Sequence, residues 1–149
     1  STRVPYTTRF RSDLFMGQKD YQQCMVVRRL LDIIGLPTRL HPCPIVREKD
    51  GLAMSSRNVR LDAKARALSV ELSKALKKAK SEVGSRKSEV KDIQLNAYNH
   101  LKQIPGIDLE YFEIRNAETL KPVTTKKEKM VALVSAKIGG VRLIDNMVI

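Results

Sequence analysis

Residues 13–43 contain two short apolar runs on either side of an amphipathic stretch. DLFMG (13–17) has the composition of a short buried strand, and TRLHPC (38–43) that of a second strand. Between Lys19 and Gly35 the apolar residues recur at intervals of three and four, which indicates an amphipathic helix with Asp20 as its N-cap and Gly35 at its end. Strand, helix and strand within about thirty residues form one βαβ unit, with parallel strands and a right-handed crossover.

The second half of the chain has the pattern of a small α+β domain. Asp62 can cap a helix over residues 63–83, and Ser88 can cap a second helix that ends before Pro105. The runs DLEYFEIRN, MVALVSAKI and VRLIDNMVI alternate as strands do, and Gly139-Gly140 joins the last two as a tight hairpin. The sequence therefore predicts an α/β chain, in which a βαβ unit precedes two helices packed against a three-stranded antiparallel sheet.

Composition indicates a soluble, globular chain, with 42% hydrophobic and 30% charged residues. The apolar run MVALV (130–134) is far shorter than the roughly 20 residues of a membrane span, and no apolar h-region follows the N-terminal basic residues. We therefore predict a cytoplasmic protein with no membrane partner. Cys24 and Cys43 match no metal or disulfide spacing, and we interpret both as buried thiols.

The net charge of +12 is spread along the chain and does not form a basic tail. Residues 1–61 carry 11 basic and 5 acidic residues, a net charge of +6, and residues 62–149 carry 17 and 11, again +6. Only 5% of the residues are aromatic, too few among the basic ones for a base-stacking platform, so we predict no nucleic-acid partner. A non-catalytic basic module that binds RNA through the lysine-rich helix stays open as the alternative.

The segment GQKD (17–20) lies on the turn from the first predicted strand to the helix, where open parallel sheets bind ligands. Gly17 would let the backbone approach a ligand closely, and the helix N-terminus offers free N–H groups to an anion. Lys19 would add a full positive charge. A plain strand–helix turn, with Asp20 as a cap and Lys19 in solvent, is the alternative interpretation of the same four residues.

The segment DGLAMSSRN (50–58) changes abruptly from apolar residues to two hydroxyls and a cation, Ser55, Ser56 and Arg57. Neighbouring parallel strands point their carboxyl ends the same way, so GQKD and MSSR (54–57) are expected to face one cleft. Hydroxyls, amides and cations around one volume suit a polyphosphate. Mg²⁺ would arrive with the nucleotide and keep most of its waters.

Four segments, FMGQKDYQQCMVVRRL, PIVREKDGLAMSSRN, YFEIRNAETLKPV and KIGGVRLIDN, closely resemble the pantothenate synthetases (pantoate–β-alanine ligases). The resemblance runs in order from about Asp13 to Ile149. It implies that residues 13–60 are the last βαβ unit of a Rossmann-like nucleotidylyltransferase domain and that residues 61–149 are a C-terminal α+β lid domain. It also implies ligation of pantoate and β-alanine through a pantoyl-adenylate with ATP and Mg²⁺, releasing AMP and pyrophosphate, and a homodimer for the full-length protein.

The resemblance assigns roles to residues of both segments. The implied ATP-binding residues are Gly17, Gln18, Lys19, Asp20, Val46, Met54, Ser55, Ser56 and Arg57. The implied catalytic residues are Lys19, Ser55, Ser56 and Arg57, and Gln23 is expected to hydrogen-bond pantoate. Without the resemblance, Val46 has the character of a strand core residue and Gln23 that of a solvated polar residue. The apolar half of DGLAMSSRN is expected to anchor the loop, and its polar half to cover the triphosphate.

The sequence also departs from the family pattern. The His-x-Gly-His motif of the family's first half is not matched by His41 or His100, so the chain resembles the C-terminal half. Residues 1–12 do not fit the family, and we interpret them as an artefact of sequence assembly. We expect apolar faces of DLFMG and TRLHPC to be exposed or rearranged, and the ligase reaction to be absent or negligible in this chain alone. An adenylyltransferase acting on another acid is a further alternative, against which Gln23 argues.

Overall fold

The computed structural model of the protein describes residues 12–85, 88–123, 125 and 127–149. The chain divides into two compact units, residues 1–44 and residues 45–149. The segment 1–12, which we interpreted as an artefact, lies outside the described residues except for Ser12. None of the helices in the described ranges combines the length and the hydropathy that a membrane span requires.

The first unit is the βαβ unit that the sequence predicts. Its strands pair in parallel, with Asp13 opposite Arg39 and Gly17 opposite Cys43. A single 3₁₀ turn, Gln18–Asp20, connects the first strand to the helix. The elements are β1 (Asp13–Gly17), α1 (Tyr21–Ile34) and β2 (Arg39–Cys43).

The two ends of α1 differ in how well they were predicted. Gly35 ends the helix as expected, in the left-handed region at φ 70°, and its N–H donates to the Asp32 carbonyl. Asp20 does occupy the N-cap position, but its side chain makes no capping hydrogen bond. Its backbone (φ −90°, ψ 56°) is not in the extended region from which an N-cap side chain reaches the first amides, so the predicted capping role is wrong.

Large apolar side chains of the first unit are exposed. Leu14 and Phe15 of β1 are exposed, Phe15 to 66%, although the composition of DLFMG is that of a buried strand. This confirms the expectation of exposed apolar faces for β1. A second exposed set follows one stripe of α1, at the spacing of one helical face, and consists of Val26, Leu30, Ile33 and Ile34.

The second unit is the predicted α+β domain. Its three strands form one antiparallel sheet in the order β3-β4-β5. The elements are α2 (Ala63–Ser85), α3 (Val90–Lys102), β3 (Ile107–Asn116), β4 (Met130–Ile138) and β5 (Val141–Val148). The predicted fold class, a βαβ unit followed by a small α+β domain with a three-stranded antiparallel sheet, is confirmed.

The core of the second unit lies between the two helices and one face of the sheet. The predicted helix stripes supply most of the helical side, and alternate residues of β4 supply the other. The fully buried members include Leu72, Leu76, Ile93, Leu101, Phe112, Val134 and Ile138. The central position of β4 explains why seven consecutive residues, Met130 to Ala136, are buried.

The starts of α2 and α3 test two predicted caps. The Asp62 carboxylate accepts a hydrogen bond from the Ala65 N–H at 2.7 Å, which confirms Asp62 as the cap of α2. The N-cap of α3 is Glu89 and not Ser88. Ser88 lies one residue too early for its hydroxyl to reach the first amides of the helix, so that prediction is wrong.

The boundary between the two compact units follows residue 44, whereas the predicted domain boundary follows residue 60. Residues 45–60, which we grouped with the βαβ unit, belong structurally to the second unit. Ion pairs connect residues 47, 48 and 50 to α2 and β5 of this unit. The functional division of the chain at residue 60 stays a prediction.

The β4–β5 hairpin allows a matched test of turn geometry. Gly139 and Gly140 both have positive φ, 55° and 76°, as a type I′ turn requires. A Cβ at Gly139 would lie 2.6 Å from the Ala65 Cβ, whereas one at Gly140 would meet nothing within 4 Å. We expect Gly140→Ala to lower the free energy of unfolding by about 1–2 kcal/mol. Gly139→Ala should cost a further 1–3 kcal/mol or so from overpacking. Equal losses in urea titrations would contradict this steric assignment.

Candidate functional site

The first group of predicted site residues lies on the turn between β1 and α1. Gly17 precedes the 3₁₀ turn with an extended backbone, φ −65° and ψ 125°. A Cβ added there would meet nothing within 4 Å, so neither backbone conformation nor packing within the described residues requires a glycine at this position. We therefore still predict that Gly17 lets the backbone approach a ligand closely.

The side chains around this turn differ in exposure. Gln18 and Lys19 are half-buried, whereas Asp20 and Gln23 are exposed. Gln23 lies on the first turn of α1, where we predicted it. These residues are brought together by the short 3₁₀ turn, so an anion at this end of α1 could meet several of them at once.

The two cysteines of the first unit lie close to this turn. The Cys24 thiol is buried beneath it and donates to the Gly17 carbonyl at 3.5 Å. Burial raises the pKa of the Cys24 thiol, which keeps it protonated and unreactive at neutral pH. The prediction of buried thiols is confirmed for Cys24, whereas Cys43 is only half-buried.

The second group of predicted site residues lies on a tight loop of the second unit. Two arms pair across it: the Glu48 N–H donates to the Leu52 carbonyl at 2.8 Å, and the Met54 N–H to the Val46 carbonyl at 2.9 Å. Val46 and Met54 therefore lie side by side at the open end of the loop, 66% and 55% exposed. Because Val46 is exposed and outside any strand, its interpretation as strand core is wrong. Its implied contact with a nucleotide stays a prediction.

The apolar part of DGLAMSSRN does anchor the loop. Leu52 and Ala53 are 4% and 2% exposed, and Gly51 is buried beside them. Met54, although apolar, is exposed together with Ser56 and Arg57. The buried anchor therefore ends at Ala53.

The polar part of the segment forms a 3₁₀ helix, Ser56–Arg60, with Ser55 as its N-cap. The Ser55 hydroxyl accepts a hydrogen bond from the Arg57 N–H at 3.2 Å. Ser56 and Arg57 are exposed, and one guanidinium nitrogen of Arg57 donates to the Arg142 carbonyl at 3.2 Å. Hydroxyl and guanidinium groups thus project from a short, hydrogen-bonded turn.

A buried ion pair that the sequence reasoning missed fastens this loop to the sheet. Arg47 binds both oxygens of Asp145 on β5, at 2.7 and 2.9 Å. The same guanidinium donates to the carbonyls of Gly51 at 3.0 Å and Asn146 at 3.3 Å. Asp145 is only 4% exposed, so Arg47 supplies the positive charge that its buried carboxylate needs.

A second set of ion pairs fastens the loop to α2. Arg66 lies 2.7 Å from a carboxylate oxygen of both Glu48 and Asp50. Glu48 also accepts a hydrogen bond from the Asn58 amide at 2.8 Å. Hydrogen bonds from Asn58 and then Arg66 lower the pKa of the Glu48 carboxyl, and Arg66 likewise lowers the pKa of Asp50.

No local sequence pattern indicates the partners of Arg47 and Arg66. Arg47 and Asp145 are 98 residues apart, and Glu48 and Arg66 are separated by a loop and a helix start. The one usable signal is the charge-rich VREKD run inside an otherwise apolar loop. That run predicts some charge pairing, but it does not say with which residue.

The arrangement can bind anions in each unit taken by itself. The first unit offers Lys19 at a helix N-terminus, and the second offers Ser55, Ser56 and Arg57 on a fixed turn. That the two groups share one cleft stays a prediction. Within the described ranges, no cluster of three or more His, Cys, Asp or Glu side chains is placed to hold a metal ion.

Comparisons with known proteins agree on one family. The model of the pantoate-beta-alanine ligase family matches residues 11–148, beginning two residues before the predicted start at Asp13. A pantothenate synthetase from Cytophaga hutchinsonii is 42% identical over 137 residues, which are 91% of this chain and 48% of the relative. The chain thus spans about half the length of the curated relatives that it matches.

Solved structures show the same similarity. The crystal structure of pantothenate synthetase from Thermus thermophilus has a TM-score of 0.83 and 34% identity, over 91% of this chain and 49% of that one. A pantoate-beta-alanine ligase from Francisella tularensis, complexed with beta-gamma ATP and beta-alanine, has a TM-score of 0.59. Its identity is 24%, over 92% of this chain and 43% of that one, so it shows likeness of fold.

The Arg47–Asp145 pair makes a testable contribution to stability. We expect Arg47→Met to lower the free energy of unfolding by about 3–5 kcal/mol, because it leaves the Asp145 carboxylate buried without a cation. The double change Arg47→Met, Asp145→Leu should recover most of that loss, since it removes both charges. Arg60→Met, at an exposed arginine of the same loop, should change stability by less than about 0.5 kcal/mol. A double variant no more stable than Arg47→Met in urea titrations would contradict this account.

The lowered pKa values of Glu48 and Asp50 predict a pH effect. Because folding lowers them, their stabilisation is present above about pH 4 and is lost as the pH falls through the lowered values. NMR titration of the two carboxyl carbons should give midpoints below those of unstructured peptides. Arg66→Met should raise both midpoints, whereas Lys74→Met, which breaks the separate Lys74–Glu71 pair, should not. Midpoints at or above the peptide values would show that Arg66 does not stabilise these carboxylates.

Proposed function

Since the chain belongs to the pantoate–β-alanine ligase family, we propose that it forms part of an enzyme that joins pantoate to β-alanine using ATP. The observation that carries this proposal is the fixed loop of the second unit. In the family's Ser-Ser-Arg segment, Ser56 and Arg57 are exposed and Ser55 is half-buried, while Leu52 and Ala53 beside it are buried. A segment held in this way is suited to present charge and hydroxyls to a phosphate chain.

The proposed reaction has two steps. The pantoate carboxylate attacks the α-phosphate of ATP, which forms pantoyl-adenylate and releases pyrophosphate. The amine of β-alanine then attacks the acyl carbon, which forms the amide of pantothenate and releases AMP. Neither step requires a covalent bond to the protein, so positioned cations and hydrogen-bond donors are the main catalytic device.

The residues take roles that follow from their chemistry. Lys19 and Arg57 would neutralise the charge that develops on the phosphates, and the hydroxyls of Ser55 and Ser56 would bind phosphate oxygens. Gln23 would donate to pantoate from the first turn of α1. The remaining proposed ATP contacts are Gly17, Gln18, Asp20, Val46 and Met54.

The other components of the reaction are proposed on the same basis. Mg²⁺ would enter bound to the triphosphate and not through a cluster of protein carboxylates. The Francisella tularensis relative, complexed with beta-gamma ATP and beta-alanine, supports both as ligands of the fold. We further propose a cytoplasmic enzyme that is a homodimer in its full-length form.

The activity of this chain by itself is proposed to be absent or negligible. The relatives that carry the name pantothenate synthetase are about twice as long as the stretch that the chain matches. Weak binding of ATP by the two segments could persist without turnover. Purified chain that makes pantothenate from ATP, pantoate and β-alanine at rates typical of enzymes would contradict this proposal.

The exposed lysines of α2 give little support to RNA binding as the alternative. Lys74 and Lys78 each pair with a glutamate of the same helix. Lys80 donates to the Val148 carbonyl at 2.9 Å. Three lysines of α2 thus already bind other groups of the protein. The exposed side of α2 therefore has the character of a solvated helix face more than that of a phosphate-binding surface.

The proposed site is tested by protection from trypsin. ATP with MgCl2 should slow cleavage after Arg57, and the double change Lys19→Ala, Ser56→Ala should weaken the affinity for ATP by at least about tenfold, since it removes two bonds to charged phosphates. The matched double change Ser88→Ala, Lys91→Ala, at exposed positions before and in α3, should leave that affinity unchanged.

Two results would overturn this assignment. Affinity for ATP that is unchanged by the Lys19→Ala, Ser56→Ala pair would show that the site lies elsewhere. Tight RNA binding with a steep dependence on salt, and no effect of ATP on cleavage, would favour the basic RNA-binding module.

A further inference from the structure

We propose that Asn58 is a positioning residue that holds Met54 to Arg57 in the conformation presented to ATP. The functional meaning of this inference rests on the proposed function, whereas its geometry does not. Asn58 is the last residue of DGLAMSSRN, and nothing in the resemblance gave it a role. Its contacts nevertheless enclose the proposed phosphate-binding segment from both ends.

The side chain of Asn58 reaches back across the loop. Its amide nitrogen donates to the Glu48 carboxylate at 2.8 Å, on the opposite arm. The same nitrogen donates to the Ala53 carbonyl at 3.2 Å. Ala53 is the residue immediately before Met54, so this bond closes the segment at its N-terminal end.

The backbone of Asn58 closes the segment from the other end. Its N–H donates to the Ser55 carbonyl at 3.0 Å. Its carbonyl accepts a hydrogen bond from the Leu61 N–H at 3.1 Å, which ends the 3₁₀ helix. One residue thus fixes the carbonyls on either side of Met54, while the side chains of Ser56 and Arg57 stay exposed.

Glu48 connects this arrangement to the core of the second unit. One carboxylate oxygen accepts from Asn58, and the other accepts from Arg66 of α2 at 2.7 Å. α2 is in turn held in the core by Leu72 and Leu76, which are almost fully buried. A continuous path of charged and hydrogen-bonded contacts therefore links the helix to the exposed segment.

The chemistry of the amide distinguishes positioning from binding. Both hydrogen bonds that Asn58 donates are used inside the protein, and its amide oxygen is buried with no hydrogen-bond partner among the described residues. An aspartate at this position would place its carboxylate against the Glu48 carboxylate and the Ala53 carbonyl, which are both acceptors. An amide is therefore required for its donor character, and not because it contacts the nucleotide.

The test compares local opening, affinity and global stability in the same variants. Asn58→Ala should raise the rate of trypsin cleavage after Arg57 in the ligand-free chain by about tenfold, and weaken the affinity for ATP with MgCl2 by a similar factor. Asn58→Asp should exceed Asn58→Ala in both effects, with each cleavage rate taken relative to that of the same bond in an unstructured peptide of the variant sequence. Glu48→Gln keeps an acceptor for Asn58 but loses the one for Arg66, so it should change either quantity less than Asn58→Ala does.

Controls separate positioning from a general loss of stability. Glu71→Gln removes a carboxylate that pairs with Lys74 on the exposed face of α2, and it should leave cleavage after Arg57 and affinity unchanged. The urea midpoint of the whole chain and the cleavage rate within α2 should be nearly unaffected by Asn58→Ala. If that variant does not fold, Asn58→Ser can replace it, because serine keeps one donor. This variant should raise cleavage after Arg57 and weaken the affinity for ATP by smaller factors.

The outcomes distinguish this inference from the proposed function. Unchanged cleavage after Arg57 in Asn58→Ala and Asn58→Asp would overturn the positioning role, whatever the affinity for ATP. Equal increases in cleavage after Arg57 and within α2, with a lower urea midpoint, would overturn it in favour of a purely structural role. Faster cleavage after Arg57 with unaltered ATP affinity would also overturn it. If the chain without substitutions binds no ATP, that result counts against the proposed function alone. The cleavage rates of the variants still decide the role of Asn58.

Discussion

The buried pair of Arg47 and Asp145 determines where the loop of residues 45–60 lies in the second unit. Asp145 lies opposite Val134 in the sheet, on the face that the helices cover. A carboxylate at that depth requires a permanent positive partner, and Arg47 supplies one while binding two carbonyls as well. If the loop left the sheet, Arg47 would become exposed and the Asp145 carboxylate would stay buried without a cation.

The loop combines a rigid base with an exposed tip. Leu52 and Ala53 bury apolar surface, and Arg66 binds the two carboxylates of the arm that precedes them. Beyond this base, the side chains of Met54, Ser56 and Arg57 are exposed. This division allows the tip to carry exposed cations and hydroxyls, groups that stabilise a fold very little, because the base and the hydrogen bonds of Asn58 hold its conformation.

The sequence predicts the local elements of this chain well, and its long-range partners poorly. Periodicity located the βαβ unit, both helices of the second unit and all three antiparallel strands, because those signals repeat within a few residues. Val46 has the character of a strand residue because it is β-branched, whereas the paired loop exposes it. The partners of Arg47 and Arg66, and hence the grouping of residues 45–60, depend on tertiary folding and not on any nearby pattern.

The contact between Arg57 and β5 leaves the residue type at position 142 free to vary. Arg57 binds the main-chain carbonyl of residue 142, whereas the side chain of Arg142 turns to Glu110 at 2.7 Å. A carbonyl is present whatever the residue type, so the position of the Arg57 guanidinium does not depend on the identity of residue 142. Related sequences can therefore exchange that side chain, and with it the charge of the sheet edge, while Arg57 keeps the same docking point.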